Sequence, residues 1–261
     1  MRLATFVPPG TDGPLGGAVD GDRVTAFGDG STVVERLATG DRTPAAGDAW
    51  GLGEVRLLAP VPRPRAIFGI GLNYAAHAAE TGATPPEQPM VFMKLPTSSV
   101  PPNDPLEVPA VVRRLDYEGE LTVVMGADGA IAGYAVADDV SARDLQGREM
   151  QWTRAKGFDA SCPWGPWITT ADEVADPCAL RLTTHVNGEL RQDTFTSDLI
   201  FGPQPLVDFL REAITLEPGD LILTGTPSGV GMALDPPQFL DSGDVVRIEI
   251  EGLGAIEHAI A

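Results

Sequence analysis

Residues 116–126 read Asp-Tyr-Glu-Gly-Glu-Leu-Thr-Val-Val-Met-Gly, alternate acids running directly into an apolar, β-prone stretch. That order restricts the fold, because residues two apart on a strand point to the same face. Glu118 and Glu120 then project side by side, with Asp116 behind them. Carboxylates held that close repel one another and are costly to keep together unless a cation lies between them. A small set of hard oxygen ligands suits Mg²⁺, Mn²⁺ or Ca²⁺ rather than zinc. A second acidic pair, Asp138-Asp139, follows the strand-like residues 131–137. Glu118, Glu120 and Asp139 are the strongest candidate metal set, the alternative being two glutamates on a solvated strand face. Asp144, beside Arg143, reads as one half of a structural ion pair.

The rest of the chain narrows the class. Thirty glycines and 24 prolines in 261 residues imply many turns and a loop-rich, β-rich fold. A net charge of −19 argues against nucleic-acid and anionic-membrane partners, since no basic patch meets phosphates. The two cysteines, Cys162 and Cys178, have no metal-ligand spacing and are too few for a disulfide framework. With no charged-then-apolar signal pattern at the N-terminus, they fit a reduced, cytoplasmic protein. No apolar run approaches the roughly 20 residues of a membrane span.

Residues 1–57 read as a small β-rich domain of short strands and turns, with one short helix near residues 31–38. Residues 58–65, rich in proline, resist both helix and central strand and predict a linker. Residues 66–261 form the main domain. Strand signals fall at residues 66–71, 90–94, 121–125, 131–138, 166–169, 182–186, 221–224 and 245–250. Short helices are expected at 74–81 and 204–213. Asn187-Gly188 marks a hairpin turn. Many short strands and few helices predict an α+β, mainly β architecture rather than a doubly wound parallel sheet.

Three other constellations carry chemistry. In Asn73–Glu80, His77 and Glu80 are three apart, so on a helix they share a face and Glu80 can orient the imidazole as a general base. A surface His–Glu pair is the plainer alternative, but the chain has only three histidines, His77, His185 and His258. Lys156, between Ala155 and Gly157-Phe158, can hold a carboxylate or stabilise an enolate; a surface lysine is the competing reading. Gly225-Thr226-Pro227-Ser228-Gly229 lets the backbone approach a ligand and offers the Thr226 hydroxyl. It lacks the ending of a phosphate-binding P-loop, and a plain tight turn is its alternative.

These stretches, together with Val91–Lys94, Gly133–Asp144, Lys156–Trp167, Val186–Arg191, Leu216–Gly231 and Pro236–Leu253, resemble the fumarylacetoacetate hydrolase family in its two-domain bacterial branch. The resemblance runs in register over residues 66–258, and it implies a mixed β-roll core that pairs into homodimers. It also implies metal ligation by Glu118, Glu120 and Asp139, with Mg²⁺ (or Mn²⁺, in some members Ca²⁺) as the ion. A water-activating dyad falls on His77 and Glu80, in a segment that closes over the site. Lys156 falls on a charge-stabilising position, and Arg143, Gln146, Thr226 and Lys94 on substrate-contacting ones. The activity implied is hydrolysis of a C–C bond in a 2,4-dioxo acid of acylpyruvate type, through a pyruvate enolate. Decarboxylation or isomerisation of 2-oxo or 2-hydroxy-diene dicarboxylates, oxaloacetate decarboxylation included, remains an alternative, as does a catalytically silent metal-binding scaffold. The chain departs from the family pattern at Asp138, where asparagine is common, and in a tight Asp128-Gly129 turn where relatives have a longer connection.

Overall fold

Turn residues cut the chain into short strands, and the computed structural model, which describes residues 1–80 and 82–261, contains eighteen strands and five α-helices among them. The N-terminal group is β1 (Arg2–Val7), β2 (Leu15–Asp20), β3 (Arg23–Ala26), α1 (Val33–Thr39), β4 (Ala49–Gly51) and β5 (Arg56–Leu57). Next come β6 (Ile67–Gly71), α2 (Ala75–Glu80), β7 (Met90–Lys94), β8 (Ser99–Val100), β9 (Leu115–Asp116), β10 (Gly119–Met125) and β11 (Ile131–Asp138). The chain continues through β12 (Ser141–Ala142), α3 (Arg143–Gln146), α4 (Thr153–Lys156), β13 (Cys162–Thr170), β14 (Arg181–Val186) and β15 (Glu189–Phe195). It ends with α5 (Pro203–Arg211), β16 (Leu221–Leu223), β17 (Val245–Ile250) and β18 (Gly254–Ala259).

One large mixed sheet runs in the order β4-β3-β2-β1-β13-β11-β10-β16-β6-β7, with β5 beside β1 and β8 beside β13. Most neighbours are antiparallel; β16–β6 and β13–β8 are parallel. A second sheet has the order β15-β14-β17-β18, and β9 pairs with β12. The large sheet is buried on both faces in its centre, as its nearly continuous apolar strands require. On one face Leu121, Val123, Val136, Phe68 and Ile222 pack against Leu182, Val246, Ile248 and Ile256 of the second sheet and Leu206, Val207 and Leu210 of α5. On the other face Val124, Ala135, Ile67, Leu221 and Leu223 pack against Val33 and Leu37 of α1.

Local chemistry explains the boundaries. Thr32 and Glu35 form a capping box at the start of α1, and Gly40 (φ 68°) ends it. Asn187 and Gly188 have φ of 52° and 80°, as a tight β14–β15 hairpin requires. Asp128 and Gly129 make the β10–β11 turn in the same left-handed region, matching the short Asp-Gly connection expected there. Thr81, at the end of the expected 74–81 helix, lies outside the described residues. The strand β18 had no counterpart in the expected elements, although Ile256 and His258 alternate inward along it. The segment 58–65 does not stand apart from the core, because Ala59 and Val61 are buried with Leu3 and Ile67. β1 also pairs directly with β13, Leu3 opposite Ile168.

Among the described residues, no helix is long and apolar enough to cross a membrane. Cys162 is fully buried at the start of β13, and burial pushes its thiol up to about 12. A disulfide reagent applied to the folded protein at neutral pH should titrate only the partly exposed Cys178 quickly. Cys162 should react only on unfolding, which timed thiol counts with and without denaturant would check.

Candidate active site

The β10–β11 ladder places the acids. Its register pairs Gly119 with Asp138 and Glu120 with Ala137, and beyond its end the Asp139 N–H donates to the Glu118 carbonyl at 2.9 Å. Acids some twenty residues apart in sequence thereby become neighbours. Gly119 separates the two glutamates because β14 approaches closely: a Cβ there would collide with the Thr184 hydroxyl. One carboxylate oxygen from each of Glu118, Glu120 and Asp139 lies within 4.8 Å of the others. All three residues are buried.

Cations surround two of the three acids. Lys156, on α4, donates from Nζ to Glu118 Oε2 at 2.6 Å and Asp139 Oδ2 at 2.7 Å. Lys94, at the end of β7, donates to Asp139 Oδ1 at 2.6 Å. Arg143, on α3, meets Glu118 Oε1 through Nη2 at 2.7 Å and Asp116 Oδ2 through Nε at 2.8 Å. Burial alone would raise the Glu118 carboxyl, but Lys156 and Arg143 outweigh it and hold the group well below the usual range. Burial likewise opposes the Lys156 charge, and Asp139 and Glu118 overcome it, raising the ammonium. These are the chain's only two lysines, and both are committed to this cluster.

Glu120 differs. Its carboxylate accepts the Gly225 N–H at 2.6 Å and has no ion-pair partner among the described residues. Burial, and then the Asp139 and Glu118 charges, push it well above its ordinary value. Glu120 is thus the one acid of the trio that no lysine or arginine contacts among the described residues, and a cation between the three carboxylates could supply that charge. The donor set fits a divalent ion of the Mg²⁺, Mn²⁺ or Ca²⁺ type.

A cavity of about 340 Å³ opens onto this cluster, lined by Glu118, Arg143, Gln146, Lys156, His77 and Thr226 on its polar side. His77, on α2, is buried, with Nδ1 3.2 Å from Glu80 Oε2. The other Glu80 oxygen accepts the Gly229 N–H at 2.9 Å, which ties α2 to the loop after β16. Gln146 Oε1 accepts from Arg143 Nη1 at 3.0 Å, so the carboxamide presents its NH₂ as its remaining donor. The Thr226 hydroxyl donates to the Gly119 carbonyl at 3.1 Å. A larger groove of about 530 Å³ lies around Met1, Asp20 and Glu173, away from the acidic trio.

The ion pairs of Lys94 and Arg143 fix where each of them sits. Lys94, which the resemblance places among substrate-contacting positions, lies against Asp139 and is not among the cavity-lining residues. Its ammonium is fully used by Asp139 and the carbonyls of Val140 and Lys156. Arg143 does not pair with Asp144; it bridges Asp116 and Glu118, while Asp144 faces Arg148 at 3.7 Å. Asp116 also accepts the N–H groups of Gly231 and Met232 at 2.8 and 3.1 Å, so it anchors Arg143 rather than a metal.

Some site residues were not legible in the sequence. Gln192, on β15, is 1 % exposed and clamps three segments. Its Oε1 accepts the Gly119 N–H at 3.0 Å, and its Nε2 donates to Thr226 Oγ1 at 2.8 Å and the Pro227 carbonyl at 3.0 Å. A lone glutamine among charged neighbours gives no signal for this, because a bulge between Thr184 and His185 resets the pairing that turns it inward. Asp138 accepts the Glu118 N–H at 2.8 Å and faces the buried His258 Nε2 at 3.2 Å, linking the two sheets behind the trio.

Residues 66–261 match the family description "Fumarylacetoacetate (FAA) hydrolase C-terminal". Oxaloacetate tautomerase YisK of Bacillus subtilis is 43% identical over 225 residues, covering 81% of this chain and 75% of that protein. The structure of a fumarylacetoacetate hydrolase from Exiguobacterium antarcticum superposes with a TM-score of 0.88 at 34% identity, covering 100% of this chain and 99% of the other. A 5-carboxymethyl-2-hydroxymuconate delta-isomerase from Mycobacterium smegmatis gives 0.84 at 36% identity, with the same coverage.

Gln192→Leu should leave the Gly119 N–H, the Pro227 carbonyl and the Thr226 hydroxyl short of a buried partner. The expected loss is about 2 kcal/mol of stability, read from the urea midpoint of the variant against the parent protein.

Proposed function

We propose that this chain, which belongs to the fumarylacetoacetate hydrolase family, is a divalent-metal-dependent enzyme that hydrolyses a C–C bond in a 2,4-dioxo acid. The observation that carries this reading is one cavity lined by Glu118, Lys156 and His77, with Glu118 part of a buried acidic trio and His77 paired with Glu80. Glu118, Glu120 and Asp139 would hold the ion; when bound, it supplies Lewis-acid charge to the 2-oxo acid head of the substrate. In this reading residues 66–261 carry the chemistry, and residues 1–57 with the 58–65 segment extend the sheet away from it.

The chain's own groups divide the remaining work. His77, held through Nδ1 by Glu80, takes a proton from water. The resulting hydroxide adds to the carbonyl carbon distal to the head, and the bond between that carbon and the neighbouring CH₂ breaks. The electron pair passes to the 2-oxo acid fragment as its enolate, which is then protonated on carbon. The products are a carboxylate and pyruvate. Lys156 sits at the edge of the trio with its ammonium fixed by two carboxylates, placing positive charge beside the oxygen where negative charge develops. Arg143 and Gln146 orient the head, Arg143 being fixed by Asp116 and Gln146 by Arg143.

The tautomerase relative supports a second reading, in which the same groups only move a proton between carbon and oxygen of a 2-oxo acid. Such a reaction needs the base and the charge stabiliser but no attacking water. Acetylpyruvate, oxaloacetate and a 2-hydroxy-diene diacid offered to one preparation separate the two. Pyruvate release from acetylpyruvate alone supports hydrolysis, whereas enol–keto conversion of oxaloacetate without cleavage of acetylpyruvate overturns it.

Dialysis against a chelator should abolish turnover, with recovery on adding Mg²⁺ or Mn²⁺. His77→Ala should lower kcat by roughly 10²–10⁴-fold, the range for a general base. Unchanged turnover in steady-state assays of that variant would remove His77 from the chemistry.

A further inference from the structure

We propose that the apolar wall made by Met90, Phe92, Trp152 and Met232 selects substrates whose group beyond the 2-oxo acid head is uncharged and apolar, and disfavours dicarboxylates. This rests on the reading above that a 2-oxo acid binds in the cavity.

The wall is built into the sheet. β6 reads Ile-Phe-Gly-Ile-Gly, and Gly69 and Gly71, two apart, share a face. A Cβ at Gly69 would overlap the Phe92 ring. A Cβ at Gly71 would come within 2.6 Å of Met90 Cε and 3.1 Å of the Trp152 ring. Only glycine at these positions lets the three side chains settle against the strand. Phe92 and Trp152 then meet edge to face, centroids 5.6 Å apart at 64°. Met232 completes the set, and all four line the same cavity as Glu118 and Lys156. The Lys156 ammonium lies 5.2 Å from the Phe92 centroid. The apolar wall therefore begins where the charged floor ends.

A second carboxylate finds no uncommitted cation there. Among the described residues the basic groups lining the cavity are Arg143, Lys156 and His77. Arg143 is spent on Asp116, Glu118 and Gln146, Lys156 on Glu118 and Asp139, and His77 is paired with Glu80. A carboxylate pressed against Met, Phe and Trp loses its hydration without a partner, and the net charge of −19 adds to the penalty. An alkyl or aryl group in the same place gains from burial and from the ring edges.

The test measures binding rather than turnover. The Mg²⁺-loaded protein is titrated calorimetrically with 2-oxo-4-phenylbutanoate, 2-oxoglutarate and, as a head-only control, pyruvate. The phenyl compound is expected to bind at least roughly tenfold more tightly than 2-oxoglutarate. Gly71→Ala should shrink that gap without changing pyruvate binding. Should that variant fail to fold, Met232→Lys, at a side chain 40% exposed, should narrow the gap by offering the second carboxylate a cation. Equal or tighter binding of 2-oxoglutarate to the parent protein overturns the proposal, and so does failure of the phenyl compound to bind. A preserved preference in a protein that cleaves no dioxo acid would count against the hydrolase reading and for this one.

Discussion

A group of buried like charges, held together by the end of one antiparallel ladder, is the constraint the rest of the fold answers to. Glu118, Glu120 and Asp139 lie at most 5 % exposed, and taking charges out of water is expensive unless each is closely compensated. The compensation is almost all local. Both lysines of the chain and the Arg143 guanidinium contact Glu118 or Asp139 directly. Such an arrangement needs a rigid frame, because a displaced cation would strand a buried carboxylate. The sheet supplies one by burying both faces of β10 and β11, against the second sheet on one side and α1 on the other.

Compensation stops short at Glu120. Its carboxylate accepts the Gly225 backbone N–H and meets no lysine or arginine among the described residues, and it is driven upward by burial and by its acidic neighbours. That local imbalance links the fold to the chemistry: the frame holds the acids in place, and the acid without a cation lies where a hard divalent ion could fit. The groups on the cavity side then fall into two kinds. His77, Lys156 and Gln146 face the ligand space, while Asp116, Glu80 and Gln192 fix those side chains or the backbone around them. Relatives that share this fold carry names of a hydrolase, an isomerase and a tautomerase, so the frame alone does not choose the reaction.

Much of this was readable from the chain. The Glu118-Gly119-Glu120 spacing and the following β-branched run announced acids at the start of a strand, and Glu120 lies on β10 with Glu118 just before it. The His77/Glu80 spacing announced a shared helical face. Turn residues at 128–129 and 187–188 announced hairpins, since those left-handed conformations select Asp, Asn and Gly. Other parts had no local signature. Gln192 turns inward through a bulge, the Lys94 ammonium meets Asp139 and two backbone carbonyls, and β18 brings His258 behind Asp138 from the far end of the chain.

What the sequence determined by itself, then, is the chemistry of the parts and their local geometry: period-two acids, a three-apart base pair, scarce lysines and the turns that separate the strands. Such features depend on contacts within a few residues, where backbone geometry fixes direction. The tertiary structure alone decided which acid receives which cation, which groups reach the cavity and which only support them. It also decided that glycines on β6 make room for an aromatic wall from β7 and the segment before α4. Those outcomes depend on strand register and sheet order, which join residues tens to more than a hundred positions apart, and no spacing along the chain encodes them.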